Sequence, residues 1–199
     1  MSIIEAFIKT ISFFDELKDE GIIKDYALIG GLALSAWVRP RTTRDVDLVV
    51  IISKKINWAD LISLIQTRLQ KKVSVHKATL RMTIQEKFSF MLGQIQVDII
   101  GTGGFDLAAD AIKNAVVADV FGKSIKVATP EYLILLKLLP LSNQDIIDIK
   151  ELAKKADMHK VSKLAEKYFL LSKLESIIQL KNRKSALPKA KMQEMHSEI

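Results

Sequence analysis

The stretch that decides the fold runs from Ala27 to Val50 and reads ALIGGLALSAWVRPRTTRDVDLVV. The apolar residues up to Ile29 predict a short buried strand, which the pair Gly30–Gly31 ends. The next residues suit a helix that stops before Pro40, because the residue before a proline disfavours helical backbone. Residues 45–52 are rich in Val and Ile, as expected of a buried strand. The sequence therefore predicts strand, glycine pair, helix and strand in quick succession.

The two glycines are the candidate phosphate-binding point. Gly30 and Gly31 stand where the strand passes into the helix. Unhindered backbone N–H groups and the positive end of a helix dipole can there point at a phosphate. A simple tight turn is the structural alternative. The place of the pair just ahead of Asp45 favours phosphate binding.

Three aspartates form a candidate metal site. Asp45 and Asp47 are two apart on a predicted strand, so both side chains leave the same face, roughly 6.5–7 Å apart at Cα. Asp98 lies in a second apolar strand that could pair beside the first. Such a set can hold two Mg²⁺ ions, which prefer oxygen ligands and complete their shells with water and phosphate. A solvated strand start is the alternative, but unpaired carboxylates in a buried strand are costly to desolvate, which favours the metal site.

The remaining sequence predicts helices and strands around this unit. The predicted elements are a helix from Ile3 to near Gly21, a helix from Trp58 to Leu69, strands over 77–85, 87–92 and 94–100, a helix over 105–115 and two short strands within 116–128. Strand, helix and strand in this order suggest a βαβ-like unit. We therefore predict an α/β (α+β) fold with a mixed β-sheet flanked by helices.

From Thr129 onward the sequence predicts helices only. Thr129-Pro130 is a good helix start, with a capping threonine and proline at the first helical position. Ser142 and Asp145 have the spacing of a capping box, and two more helices follow over 161–170 and 171–180. Three segments result: an α/β core over 1–128, a C-terminal helical subdomain over 129–180, and a basic flexible tail over 181–199.

Composition limits the function classes. The chain has 199 residues, no cysteine and a formal net charge of +7. The missing cysteines exclude disulfides, thiolate catalysis and zinc sites with sulfur ligands. The first residues lack the basic region of a secretory signal, and no apolar run approaches the ~20 residues of a membrane-spanning helix. We expect a cytoplasmic protein without membrane contact, whose positive charge favours either polyanion binding or solubility.

The pattern from Gly30 to Asp47 resembles the nucleotidyltransferases of the DNA polymerase β superfamily, whose signature is Gly-[Gly/Ser], a helix, Asp-x-Asp and a later third Asp. More narrowly, GGLA at 30–33 followed by R-x-T-x-D-x-D at 41–47 resembles the AbiEii-type branch. Members of that branch include toxins of toxin–antitoxin systems that nucleotidylate RNA. The branch also has Glu-x5-Lys followed by Asp-x-x-Asp-Ile, which residues 131–137 and 145–149 match.

The resemblance implies roles for ten residues. Asp45 and Asp47 would ligate two Mg²⁺ ions, and Asp98 would be both a metal ligand and the base that takes the acceptor proton. The nucleotide, an NTP substrate, would be bound by Gly30, Gly31, Arg41, Thr43, Lys137, Asp145 and Asp148. The helical subdomain would complete this pocket. For Lys137 a side chain that snorkels to water is the alternative, and Asp145 and Asp148 could simply favour a helix N-terminus.

The resemblance implies a nucleotidyltransferase that moves an NMP from an NTP to a hydroxyl acceptor, with RNA such as tRNA as the expected acceptor. A cognate partner protein is also expected, while the oligomeric state stays open. Two alternatives remain. One is a catalytically silent nucleotide- or RNA-binding module, which has no need of three clustered carboxylates. The other is a small-molecule transferase of the aminoglycoside type, which the charge of +7 disfavours.

Overall fold

The computed structural model describes residues 1–38, 40, 42–80, 83–102 and 106–185. Over these residues the chain forms eight helices and seven strands. In order they are α1 (Ile3–Asp19), β1 (Ile23–Ile29), α2 (Gly30–Ser35), β2 (Asp45–Ile52), α3 (Trp58–Leu69), β3 (Val73–Leu80), β4 (Thr83–Leu92), β5 (Ile95–Gly101), α4 (Asp106–Lys113), β6 (Val116–Val120), β7 (Lys123–Val127), α5 (Pro130–Lys137), α6 (Asn143–Leu152), α7 (Met158–Lys167) and α8 (Leu171–Ser185).

Helix starts are fixed by side chains that satisfy free backbone N–H groups. Ser2 caps α1, Asn57 caps α3 and Ser142 caps α6, each in a capping box with an acidic residue three positions later. Asp157 caps α7 by accepting from two backbone N–H groups. The capping box predicted for Ser142 and Asp145 is confirmed. Thr129 is the N-cap residue of α5, but its side chain makes no capping hydrogen bond, so that part of the prediction was wrong.

The strands described here form one mixed sheet in the order β3-β4-β5-β2-β1-β7-β6. β2 lies at its centre, antiparallel to β1 and parallel to β5. β1 in turn runs parallel to β7. The predicted mixed-sheet α/β fold is confirmed. The predicted βαβ-like unit is wrong, because α2 joins antiparallel neighbours and the parallel partner of β2 comes only after the β3–β4 hairpin.

The central strands separate apolar from polar residues by face. Neighbouring strands β2, β5 and β4 place fully buried apolar residues on one face, namely Val46, Leu48, Val50, Val97, Ile99, Phe88 and Phe90. The opposite face has Asp45, Asp47, Gln96, Asp98, Lys87 and Ser89 at alternating positions. Successive strand residues point to opposite faces, so this alternation produces a core face and a polar face from the same strands.

Helices α1 and α3 cover the apolar face. Trp58, at the start of α3, packs its ring 5.9 Å from the ring of Phe88. Arg68 near the end of α3 donates to both carboxylate oxygens of Glu20, which follows α1, at 2.7 and 2.8 Å. Burial of large side chains such as Phe88 contributes about 1.5–3 kcal/mol each to folding. The core face therefore supplies stability, which leaves the polar face available for a site.

The hairpin before β5 differs from the sequence prediction. Strands were expected over 77–85 and 87–92, whereas β3 ends at Leu80 and β4 begins at Thr83. The intervening sequence has no Gly, Pro, Asn or Asp, so the usual signals of a tight turn are missing. The correct register pairs Lys87 with His76 in the middle of the hairpin.

The C-terminal helices follow the last strand of the sheet directly. β7 ends at Val127, and α5 contacts α4, α6 and α7. α8 reaches Ser185, five residues into the predicted tail, and the rest of that tail lies outside the described residues. Within the described chain, no helix combines the length and apolar character needed to cross a membrane.

We expect Gly101→Ala to destabilise the protein by about 1–3 kcal/mol, because a methyl group there would lie 2.7 Å from Cε2 of Trp58 and overpack the core. Urea unfolding gives the free energy of unfolding. Trp58→Phe removes the ring atoms that would collide, so the same glycine change should cost much less in that background. Equal costs in the two backgrounds would contradict this packing argument.

Candidate active site

The three predicted aspartates lie together on the polar face. In the parallel pairing of β2 with β5, Asp47 is directly opposite Asp98 and Asp45 is opposite Gln96. Asp45 and Asp47 are partly exposed, while Asp98 is buried. The strand pairing inferred from the apolar sequence around Asp98 is therefore present, and it places the three carboxylates at neighbouring positions on one face. Their roles as metal ligands and base stay predictions.

Gly30 fits directly against Asp47. Its φ of +68° lies in the left-handed region, and a methyl group built on it would lie 2.5 Å from Cγ of Asp47. Position 30 therefore requires glycine for two reasons: its backbone has a positive φ, and any side chain there would collide with Asp47. Ile29, the N-cap residue of α2, offers no side-chain hydrogen bond to the backbone that follows. The glycine pair therefore brings free backbone to the edge of the carboxylate cluster.

The pKa of Asp47 lies well above the usual value for an aspartate. Burial raises its pKa to about 7, and the charges of Asp98 and Asp45 act in the same direction. Lys87 and Lys137 oppose this rise without cancelling it. A carboxylate in such surroundings is stabilised by added positive charge. The all-oxygen donor set therefore fits a hard divalent cation such as Mg²⁺.

The carboxylates are not in a metal-ready arrangement. In the described parts of the chain, no three His, Asp or Glu side chains are arranged to hold one ion. Asp98 is instead engaged by protein groups: Lys87 Nζ lies 2.8 Å from its Oδ2, and Gln96 Nε2 donates to its Oδ1 over 2.8 Å. The lysine supplies charge that a cation would otherwise provide. A metal bound by Asp98 must therefore compete with Lys87.

Lys137 faces the cluster from α5. It is buried, and its Nζ lies 2.6 Å from Oδ2 of Asp148 and 3.1 Å from Oδ1 of Asp145. It does not snorkel to open water. Burial alone would raise the pKa of Asp145, but hydrogen bonds from Ser142 and Lys137 outweigh it and hold that pKa below its usual range. Asp145 thus caps α6, as the alternative proposed, and also fixes Lys137.

A cavity of about 830 Å³ joins these groups. This volume is within the range of sites for small ligands and cofactors. Its polar lining includes Gly30, Gly31, Thr43, Arg44, Asp45, Asp47, Lys87, Lys137 and Asp145, and its apolar lining includes Leu133, Leu136, Leu139 and Pro140. Sheet and C-terminal helices therefore enclose one pocket with an acidic base and an apolar wall.

The predicted site residues can now be placed. Of the ten, seven line this cavity, namely Gly30, Gly31, Thr43, Asp45, Asp47, Lys137 and Asp145, and Asp148 is paired with the lining residue Lys137. Asp98 lies beside it, opposite Asp47 and paired with the lining residue Lys87. Arg41 lies outside the described residues. The nucleotide-binding roles stay predictions.

Sequence reasoning missed four residues of the site. Lys87 and Gln96 hold Asp98, Gln144 donates to Asp148 over 2.9 Å, and Arg44 lines the cavity. The position of Gln96, two residues before Asp98 on one strand, was a usable signal because such residues share a face. Lys87 became visible only through the register of the hairpin.

The pKa of Asp47 predicts a pH dependence of stability without metal. A folded pKa of about 7, above the usual ~3.9, means that the folded state binds this proton more tightly. The resulting stabilisation is complete below about pH 4 and is lost as pH rises through about 7. In EDTA the Tm should therefore fall by a few degrees between pH 5 and 8, and Asp47→Asn should reduce this fall.

Asp19→Asn, at an exposed position at the end of α1, is the matched control and should keep the pH slope of the unchanged protein. Differential scanning fluorimetry at constant ionic strength measures both variants. Identical slopes for Asp47→Asn and Asp19→Asn would show that the pKa of Asp47 is not raised.

Comparisons with known proteins identify the family of the chain. The sequence model described as "Nucleotidyl transferase AbiEii toxin, Type IV TA system" matches residues 13–198. No curated protein sequence matches the chain significantly. The solution structure of the antibiotic-resistance factor ANT(2'')-Ia is similar with a TM-score of 0.51 at 14% identity, over 91% of this chain and 97% of that one.

TM1012 of Thermotoga maritima, solved as a candidate nucleotidyltransferase, is similar with a TM-score of 0.50 at 15% identity, over 78% of this chain and 97% of that one. At such identities the two likenesses concern the fold alone. The family match covers nearly the whole chain, including the positions of the three aspartates and Lys137. The chain therefore belongs to the AbiEii family of nucleotidyl transferase toxins and is a nucleotidyltransferase.

Proposed function

We propose that the protein catalyses Mg²⁺-dependent transfer of a nucleoside monophosphate from an NTP to a hydroxyl group of RNA. The observation that carries this proposal is the convergence of Asp45, Asp47 and Asp98 beside a cavity large enough for a nucleotide. The acceptor oxygen attacks the α-phosphorus, the bond to the β-phosphate oxygen breaks, and pyrophosphate leaves. The acceptor proton goes to a carboxylate oxygen of Asp98 and then to solvent.

The three aspartates would hold two Mg²⁺ ions, which neutralise charge on the triphosphate and orient it. Gly30 and Gly31 would offer backbone N–H groups to the phosphates, with Thr43 and Arg41 beside them. The apolar wall formed by Leu133, Leu136 and Leu139 suits the face of a base. Each of these steps is positioning and electrostatics, which is how protein groups accelerate phosphoryl-type transfer.

Lys137 would contact the triphosphate from the opposite wall. It is held by Asp145 and Asp148, so its ammonium group is fixed before a nucleotide arrives. Preorganised charge avoids the cost of reorientation during the reaction. On this view residues 129–180 form the helical subdomain that completes the nucleotide pocket.

RNA is proposed as the acceptor because the chain has a net charge of +7, which attracts polyanions and repels cationic acceptors. The toxin family also supports a cognate antitoxin protein as partner and a cytoplasmic place of action. The second candidate is a silent nucleotide-binding module. The three clustered carboxylates disfavour it, because they repel phosphate unless a cation intervenes.

Nucleotide transfer itself is the decisive test. The protein is incubated with total RNA, Mg²⁺ and each of the four α-labelled NTPs, and labelled RNA is resolved on a gel. Label is expected with at least one NTP and should be lost in EDTA. Asp45→Asn and Asp47→Asn should each lower the initial rate by at least about 10²-fold, the scale of losing one electrostatic group at a reacting phosphate.

Asp19→Asn is again the matched control and should keep full activity. If no NTP labels RNA, the RNA transferase is disproved. A titration of NTP with and without Mg²⁺ then separates the alternatives: metal-dependent NTP affinity points to another acceptor, and metal-independent affinity points to the silent module.

A further inference from the structure

A second cavity lies on the same side of the sheet as the carboxylates. Its volume is about 370 Å³, and its polar lining consists of Lys71, Lys72, Ser74, His76, Ser89 and Gln96, here called the acceptor track. The residues come from β3, β4, β5 and the segment just before β3. None of them was a predicted site residue. The cavity is therefore a binding surface without an assigned ligand.

Strand register connects the acceptor track to the carboxylates. Ser89 on β4 is directly opposite Asp98 on β5, and Ser74 on β3 is directly opposite Ser89. Directly paired residues point to the same face, so Ser74, Ser89 and Asp98 form one row across three strands, about 10 Å long. A ligand that lies along this row leads straight to Asp98.

Gln96 physically joins the two sites. It lines the second cavity, and its Nε2 donates to Oδ1 of Asp98 over 2.8 Å. Next to it, Ser89 is buried, and its hydroxyl lies 3.1 Å from Nε2 of His76. Hydroxyl, imidazole and amide groups in a row can donate to phosphate and ribose oxygens. The polar groups of the track can therefore hydrogen-bond to a sugar–phosphate chain.

The charge of the track is opposite to that of the carboxylate end. Lys71 and Lys72 lie at its outer end and have no ion-pair partner among the residues that the structure describes. Lys87, which is opposite His76 and ion-paired with Asp98, adds a third cation beside the track. A cationic small acceptor would meet repulsion here, whereas a phosphodiester chain would be attracted.

We propose that the acceptor track binds the phosphodiester backbone of the RNA acceptor and directs its terminal hydroxyl to Asp98. This inference rests on the proposed function and names the acceptor-binding surface of that site. The NTP occupies the larger cavity, so the two substrates approach Asp98 from opposite sides. Lys71 and Lys72 contact phosphates, while Ser89, His76 and Gln96 contact the ribose and phosphate groups nearest to the reacting hydroxyl.

The test compares two double variants of equal charge. Lys71→Glu/Lys72→Glu reverses the outer end of the track, and Lys54→Glu/Lys55→Glu reverses a matched pair of exposed lysines in the turn after β2, at the end of that strand remote from Asp45. A fluorescein-labelled, short single-stranded RNA is titrated with each full-length protein, and fluorescence anisotropy gives Kd without NTP. Thermal unfolding confirms that both variants fold.

The track variant should bind RNA at least about 10-fold more weakly than the control at about 0.1 M salt. A plot of the logarithm of its RNA-binding constant against the logarithm of salt concentration should have a slope shallower by roughly 1.4. Each lost phosphate contact to a single strand removes about 0.7 from the slope. RNA labelling should fall in parallel. Mg²⁺-dependent NTP affinity should be the same in both variants, because neither lysine lines the larger cavity.

An equal loss of RNA affinity in the two double variants would contradict RNA binding by the acceptor track, since net charge alone would then explain binding. Full RNA labelling by the track variant would overturn it as well, while leaving the transferase intact. Failure of the proposed function has a different signature, because the unchanged protein itself would then label no RNA. Single variants Ser89→Ala and His76→Ala should lower the labelling rate with little change in the salt slope, which separates contacts near the hydroxyl from phosphate contacts.

Discussion

The repulsion among three carboxylates on one sheet face is the constraint on which the site depends. Asp47 opposes Asp98 across two parallel strands, and its pKa rises to about 7 because burial and like charges disfavour its ionised form. Lys87 and Lys137 approach from β4 and α5 and partly offset this cost. The protein thus holds a cluster that is unfavourable by itself and whose repulsion a divalent cation would relieve.

The sheet stays stable despite the unfavourable carboxylate cluster because one face packs the core and the other bears the site. Apolar residues such as Leu48 and Ile99 fill the opposite face under α1 and α3. Around the three aspartates, residues that pack the core alternate along β2 and β5 with residues that face the site, so the same backbone hydrogen bonds position both. Gly30 shows how tightly the parts are fitted, since even a methyl group there would displace Asp47. Stability and function therefore share strands but use different faces.

The sequence predicted what local spacing determines. The strand of Asp45 and Asp47 and the glycine pair follow from period and composition, and their positions match the structure. Contacts between residues far apart in the chain were harder to predict from the sequence. Lys87 depends on the register of a hairpin that lacks turn residues. The ion pairs of Lys137 with Asp145 and Asp148 were suggested only by the family resemblance and not by the leucine-rich sequence around Lys137. Local pattern specifies elements, while tertiary pairing decides which polar side chains meet.

The charge of the polar face changes from negative to positive across the sheet, in the direction perpendicular to the strands. At β2 and β5 the carboxylates dominate, and Lys71 and Lys72 follow just before β3, two strands away from β5. A polyanion is attracted at the lysine end and repelled at the carboxylate end until cations neutralise Asp47 and Asp98. Cations held by the carboxylates would therefore also lower the electrostatic barrier to the acceptor's last step toward Asp98. The change of charge across the face thus makes the approach of a polyanionic acceptor depend on bound metal.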